Sequence, residues 1–213
     1  MAELLIRNAR YLPGALSRNA QTMLRDAILS CLSQAPLFRP SMPRSGKPFS
    51  VRMSNCGSLG WVSDKAGYRY QSTHPDTGLF WPDMPQQLRT LWRDLLPNAA
   101  EPEACLINVY DAQAKLGLHQ DRDEVNLDAP VLSISLGATA LFRIGGTTRG
   151  GKTNRITLQS GDILILDGDS RLAYHGVTRI YPGTSTLLKN VHPDIPEDGR
   201  INLTLRRVNK SEF

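Results

Sequence analysis

The apolar positions of this chain follow two different periods. Residues 5 to 16 alternate apolar and polar around Pro13-Gly14, which predicts a short strand and then a loop. From Asn19 to Ser33 the pattern is helical. Met23, Leu24, Ala27, Ile28, Cys31 and Leu32 recur at three-and-four spacing, so one stripe faces a core. A second helix is predicted from Pro85 to Leu96, with Leu88, Leu91, Trp92 and Leu95 on one face. Between the helices, Phe49 to Met53 suits a strand.

From Cys105 onward the texture becomes one of short strands. They are predicted at Cys105 to Tyr110, Lys115 to Gln120, Pro130 to Leu136 and Thr139 to Ile144, then at Thr153 to Leu158, Asp162 to Leu166, Leu172 to Val177 and Ile201 to Leu205. Gly137, Gly145, Gly146, Gly161 and Gly168 punctuate them. Such a series of strands and turns points to a β-sandwich or barrel. The simplest organisation is one α+β domain over residues 1 to 213, with helices of the first 104 residues or so backing a C-terminal sandwich.

Two stretches keep two readings each. Pro36 to Pro48 holds four prolines together with Arg39, Arg44 and Lys47. It cannot be a helix, and is either a solvated loop or a flap that touches phosphates. Trp61, Tyr68, Tyr70 and Trp81 lie among Asp64, Lys65 and Arg69. These rings either fill a core or stack on bases.

Composition narrows the setting. The chain is 40% hydrophobic and 21% charged, as a soluble protein with a sizeable core would be. No apolar run approaches the roughly 18 residues that span a bilayer. The N-terminus is interrupted by Glu3, Arg7 and Arg10, unlike a signal peptide. A cytoplasmic protein with no membrane contact is therefore expected, and a monomer. Three cysteines, Cys31, Cys56 and Cys105, are odd in number and widely spaced, which argues against a disulfide framework. The net charge of +5 permits a polyanionic partner such as nucleic acid.

The candidate chemistry begins at His119 and Asp121. They are two apart in a predicted strand, so both side chains face one way. His175 would complete a set of two imidazoles and one carboxylate, the facial triad of non-haem Fe(II). Zinc can use the same donors. What separates them is the neighbourhood, because an oxygenase with a dicarboxylate co-substrate needs fixed cations. Arg200, Asn202, Thr204 and Arg206 alternate with Ile201, Leu203 and Leu205, so they share one strand face. Asn108 and Tyr110 share a face of an earlier strand and can add hydrogen bonds. The competing reading is an edge strand with solvated arginines. His74 and His192 lie in loops beside proline and are expected to be exposed.

These motifs resemble one family in order. The match runs through Asn55-Cys56-Gly57, Gly60-Trp61, Gly67-Tyr68 and Pro82-x-Met84-Pro85, then Leu106-Ile107-Asn108-x-Tyr110 and Leu118-His119-Gln120-Asp121-x-Asp123-Glu124. It continues through Ser133-x-Ser135-Leu136-Gly137, Gly145-Gly146, Gly161-Asp162, Ser170-Arg171-Leu172 and Tyr174-His175-Gly176, and ends with Arg200-x-Asn202-Leu203-Thr204-x-Arg206. Over residues 49 to 208 the sequence resembles the AlkB family of Fe(II)- and 2-oxoglutarate-dependent dioxygenases, on the side of its bacterial DNA-repair members. The resemblance implies a double-stranded β-helix (jelly-roll) core with N-terminal helices and a nucleotide-recognition lid. It implies Fe(II) on His119, Asp121 and His175, and 2-oxoglutarate on Asn108, Tyr110, Arg200, Asn202 and Arg206, with dioxygen as second co-substrate. It implies substrate contacts from Trp61, Tyr68, Asp123 and Arg149. The implied reaction is oxidative demethylation of N-alkylated bases such as 1-methyladenine and 3-methylcytosine, in single-stranded or flipped-base DNA or in RNA. Succinate and formaldehyde are its products. Leu166-Asp167 and Ile201 depart from the family pattern, as do the segments 39–47 and 147–154.

Overall fold

The computed structural model describes residues 2–210. In chain order, β1 (Leu4–Ile6) and β2 (Ala9–Leu12) form a hairpin ahead of helix α1 (Arg18–Gln34). Strands β3 (Arg52–Gly57), β4 (Gly60–Asp64) and β5 (Gly67–Gln71) follow, then helix α2 (Gln86–Leu95). The remaining strands are β6 (Ala104–Tyr110), β7 (Leu116–His119), β8 (Val131–Gly137), β9 (Thr139–Ile144), β10 (Asn154–Leu158), β11 (Ile163–Leu166), β12 (His175–Tyr181) and β13 (Arg200–Arg206). They build a seven-stranded sheet in the order β1-β2-β11-β8-β13-β6-β3 and a four-stranded sheet in the order β10-β9-β12-β7. The pair β4-β5 stands apart as a two-stranded ribbon.

Every strand pairing in these sheets is antiparallel. This is the jelly-roll expected from the sequence. The period-two rule explains how its large sheet can serve two masters. From β13, Ile201, Leu203 and Leu205 turn to one face, where Cys105, Ile107, Val109, Leu132 and Ile134 meet α1 and α2. The intervening residues Arg200, Asn202, Thr204 and Arg206 turn to the other face and line a cavity. A second apolar cluster lies on that side and joins the two sheets to the ribbon through Phe142, Val177, Leu164, Trp61 and Phe49.

Helix α1 is capped by Ser17, whose hydroxyl accepts from Ala20 N–H at 3.2 Å. Its buried stripe is Leu24, Ile28, Cys31 and Leu32 as expected, but Met23 is exposed and Gln21 is buried in its place. Gln21 is accommodated there because its amide donates to Leu16 O at 2.9 Å and accepts from the Ser160 hydroxyl at 2.6 Å. The three cysteines are buried and unbonded to one another.

Several boundaries moved. The strand predicted from Leu172 starts at His175 and runs on to Tyr181. That predicted from Phe49 to Met53 spans Arg52–Gly57 instead. His74 is the clearest correction. It is 2% exposed, packed against Phe38 and Trp81. Its Nε2 is 2.8 Å from Pro36 O, and its Nδ1 accepts the N–H groups of Asp76 and Thr77. The ring thus caps a turn and pins the proline-rich loop, a role that its place beside Pro75 does not reveal. His192 is half-buried.

Candidate active site

His119 ends β7 and His175 begins β12, and these two residues are direct partners across the ladder. Gly176 makes the approach possible. A Cβ there would sit 2.5 Å from Leu116 O and 2.7 Å from Gly117 O, so any side chain would force the strands apart. Asp121 was expected inside the strand, but β7 stops at His119. The Asp121 carbonyl accepts from the Arg171 guanidinium at 2.6 Å rather than from a strand neighbour. The loop still returns its carboxylate to the histidines, with Oδ1 3.5 Å from His119 Nε2 and Oδ2 3.6 Å from His175 Nε2.

The donor atoms of His119, Asp121 and His175 all lie within 4.8 Å of one another. Each imidazole places Nδ1 2.9 Å from a backbone carbonyl, Gly117 O for His119 and Ala173 O for His175. That contact fixes the proton on Nδ1 and leaves Nε2 free to bind a metal. Burial holds His175 down at about 4, so it is neutral and ready to ligate. Burial also pulls His119 down, but Asp121 more than reverses this and its pKa is raised. For Asp121 burial acts upward, and Arg206 with the two histidines outweighs it, so the carboxyl stays well below the ordinary range. A divalent ion fits this set, with two imidazole nitrogens and one carboxylate oxygen converging on a cavity.

Behind the triad lies a buried network that adds Glu124, Arg171 and Tyr70, which the sequence left unassigned, to Asp121 and Arg206. Arg206 meets Asp121 at 2.8 Å and Glu124 at 2.7 Å. Glu124 also takes Arg171 at 3.1 Å and the Tyr70 hydroxyl at 2.6 Å. Arg206 in turn donates to the Tyr70 oxygen at 2.8 Å. Because Tyr70 lies on β5, the ribbon is tied to the triad through Arg206. The signal available in sequence was a second acid, Glu124, in a run that already held Asp121 and Asp123, with nothing to show that it turned inward.

The opposite end of the cavity is less complete. Arg200 is 1% exposed and donates to the Ser135 hydroxyl at 2.7 Å. Asn202 donates to the Ser133 hydroxyl at 2.7 Å, and Asn108 to Asn202 at 3.4 Å. Ser133 and Ser135 are the other unassigned pair, set two apart so that both face the cavity. Nε and Nη1 of Arg200, Nε of Arg206 and Oδ1 of Asn108 are buried with no partner. Burial pulls Arg200 down to about 10, since its charge lacks a full counterion. Two guanidiniums with unpaired donors at one cavity fit a dicarboxylate. The alternative of a solvated edge strand is excluded, because β13 is central, between β8 and β6.

The family model for the 2OG-Fe(II) oxygenase superfamily matches residues 8–206. The chain belongs to that superfamily. It is 52% identical over 196 residues to the alpha-ketoglutarate-dependent dioxygenase AlkB homolog of Caulobacter vibrioides, covering 92% of this chain and 86% of that protein. It is 41% identical over 197 residues to alpha-ketoglutarate-dependent dioxygenase AlkB of Escherichia coli, covering 91% and 87%. The solved structure of OsALKBH1 superposes with a TM-score of 0.79 at 31% identity, covering 97% of this chain and all of that one. This oxygenase is therefore of the AlkB type, and its cofactor and co-substrates are Fe(II), 2-oxoglutarate and dioxygen.

The expected substrate residues surround the same cavity, of about 700 Å³. Trp61 stacks on Tyr68, with ring centroids 5.6 Å apart and planes at 18°. Its indole N–H donates to Asp123 Oδ2 at 2.8 Å. Trp61 is buried, as the core reading had it, and it also lines the cavity. Arg149 reaches the rim from the β9–β10 loop and is exposed. Met42 and Phe49 line the cavity beside them, which places the proline-rich segment over the mouth. No described helix is long and apolar enough to cross a membrane.

Proposed function

We propose that this oxygenase removes N-alkyl groups from nucleobases in DNA, with 1-methyladenine and 3-methylcytosine as its substrates. The observation that carries the reading is the composition of one cavity. It opens between a stacked aromatic pair, Trp61 and Tyr68, and the His119–Asp121–His175 cluster, with the carboxylate of Asp123 fixed between them by the Trp61 indole. A planar base can stack on Trp61. Asp123 suits the positive charge of a methylated ring and accepts a hydrogen bond from its amino group. A base in a duplex cannot reach this depth, so the target is single-stranded or flipped.

In this reading His119, Asp121 and His175 hold Fe(II). Arg200 takes the distal carboxylate of 2-oxoglutarate with Ser135 behind it, and Arg206 lies near the carboxylate beside the keto group. Asn108, Tyr110 and Asn202 complete that pocket. Bound iron with 2-oxoglutarate and dioxygen supplies oxidation of the N-methyl carbon, and the hydroxymethyl product loses formaldehyde. The protein's share is position and exclusion of water. Trp61 and Tyr68 hold the base plane, Asp123 holds its amino edge, and Tyr70 ties the ribbon shut over Arg206. In this reading β4-β5 is the nucleotide-recognition lid of a single domain.

The test is anaerobic loading with Fe(II) and 2-oxoglutarate, then air and a single-stranded oligonucleotide carrying one 1-methyladenine. Loss of one methyl group together with succinate is the expected result. Succinate without methyl loss moves the substrate to RNA or a protein side chain. Neither product, with iron bound, leaves a nucleic-acid-binding module without turnover.

A further inference from the structure

The outer face of the four-stranded sheet carries three arginines whose charge is not neutralised within the fold, although Arg143 donates to Thr153 Oγ1 at 2.7 Å and Arg179 lies 5.1 Å over the Tyr181 ring. Arg155 on β10 and Arg143 on β9 are direct cross-strand partners. Like charges placed opposite each other destabilise a sheet. Arg179 follows on β12, opposite Leu141, which puts it diagonal to Arg143 on the same face. Arg155 and Arg179 are exposed. None of the three has a carboxylate within 4.0 Å among the described residues, a lack they share with Arg7, Arg18 and Arg52 but here concentrated on one sheet face. Nor is the imbalance local to three positions. No Asp or Glu occurs in residues 129–161 or 170–193, the segments that supply β8, β9, β10 and β12.

The face is also continuous with the active-site cavity. Arg143 pairs with Gly176, and Gly176, Gly117 and Arg149 all line the cavity. Adjacent strands are about 4.8 Å apart, so Arg143 and Arg155 stand roughly 5 and 10 Å beyond the cavity-lining strand. Gly117, where a Cβ would meet nothing within 4 Å, leaves this approach open. A polyanion leaving the cavity mouth would meet three guanidiniums in succession. Its phosphates would relieve the repulsion that the bare sheet carries.

We propose that this outer face is a second nucleic-acid contact, which holds the phosphodiester backbone flanking the nucleotide in the cavity. The inference rests on the nucleic-acid reading of that cavity. The face supplies affinity rather than base recognition, because guanidinium–phosphate contacts carry no sequence information.

The test compares wild type with R155Q/R179Q. Binding of a single-stranded oligonucleotide and of its duplex is followed against salt concentration. The salt slope of the variant should flatten by about 0.7 per lost contact on the single strand and about 0.9 on the duplex. Turnover of a 1-methyladenine mononucleotide, which carries no flanking phosphate, should match wild type. R18Q on α1 controls for net charge and should leave the slope unchanged. A separate variant, R155E, puts a carboxylate opposite Arg143. It should raise the melting temperature by about 1–2 °C while it weakens oligonucleotide binding. An unchanged slope in R155Q/R179Q, or an equal loss on the mononucleotide, overturns the proposal. A wild type that binds neither oligonucleotide overturns the reading of the cavity as well, which separates the two failures.

Discussion

The two ends of one cavity solve the burial of charge in opposite ways. At the metal end Asp121, Glu124, Arg171, Arg206 and Tyr70 satisfy one another almost completely. At the other end Arg200 is as deeply buried, yet Nε and Nη1 have no partner. The first end is built by the protein alone and holds its geometry before any ligand arrives. The second carries an uncompensated charge, and in the proposed reading its counterion is the co-substrate. The difference predicts that the metal end contributes stability and the 2-oxoglutarate end contributes affinity.

The largest expected effect comes from the satisfied end. Glu124→Ala leaves Arg171 and Arg206 without their shared carboxylate, and removal of one partner from a buried pair costs about 3–5 kcal/mol. Chemical denaturation should show that loss; a cost under about 1 kcal/mol, the range of a surface pair, would mean that the network is not a structural unit. Next is the ligand effect at the unsatisfied end. At a hundredfold excess over Kd, 2-oxoglutarate should stabilise the protein by about 2.7 kcal/mol. In Arg200→Met this gain should vanish, although the ligand-free variant should be as stable as wild type or more so. A ligand-free Arg200→Met that unfolds as readily as Glu124→Ala would erase the contrast between the ends.

A pH titration sharpens the comparison. Burial raises the pKa of Glu124, but Arg206, Tyr70 and Arg171 outweigh it, so its folded pKa lies below the ordinary 4.5. Its contribution is therefore fully present above pH 4.5 and is lost as pH falls through the lower folded value. Glu124→Gln should flatten the acid limb of stability in the metal-free protein, and an unaltered limb would assign acid sensitivity to other groups. The smallest effect is expected from Tyr70→Phe. It keeps the ring and removes one hydroxyl between Glu124 and Arg206, at about 1 kcal/mol. Because Tyr70 is in β5, hydrogen exchange of the ribbon should accelerate more than that of the large sheet.

Much of this arrangement was legible along the chain because a strand has a strict period of two. Arg200 to Arg206 announced one polar and one apolar face, and both were found where alternation put them. His119 and His175 were legible as residue types with metal chemistry. Glu124 and Tyr70 were not. An inward-facing glutamate and a tyrosine hydroxyl acquire their meaning from an arginine 82 and 136 residues away in sequence. His74 failed for the same reason, since its burial is decided by Phe38, Trp81 and a carbonyl at Pro36.

The sequence by itself determined both helices and the strands from β6 onward, the sandwich class, the three metal donors and the arginine-bearing strand, because periodicity and residue chemistry are local properties; it missed the β1-β2 hairpin and the β4-β5 ribbon. Tertiary structure alone decided which charges are satisfied. It set Arg206 on Asp121 and left Arg200 open, and it placed Arg155 opposite Arg143. Pairing depends on distances between segments far apart in the chain, and a one-dimensional pattern does not contain them.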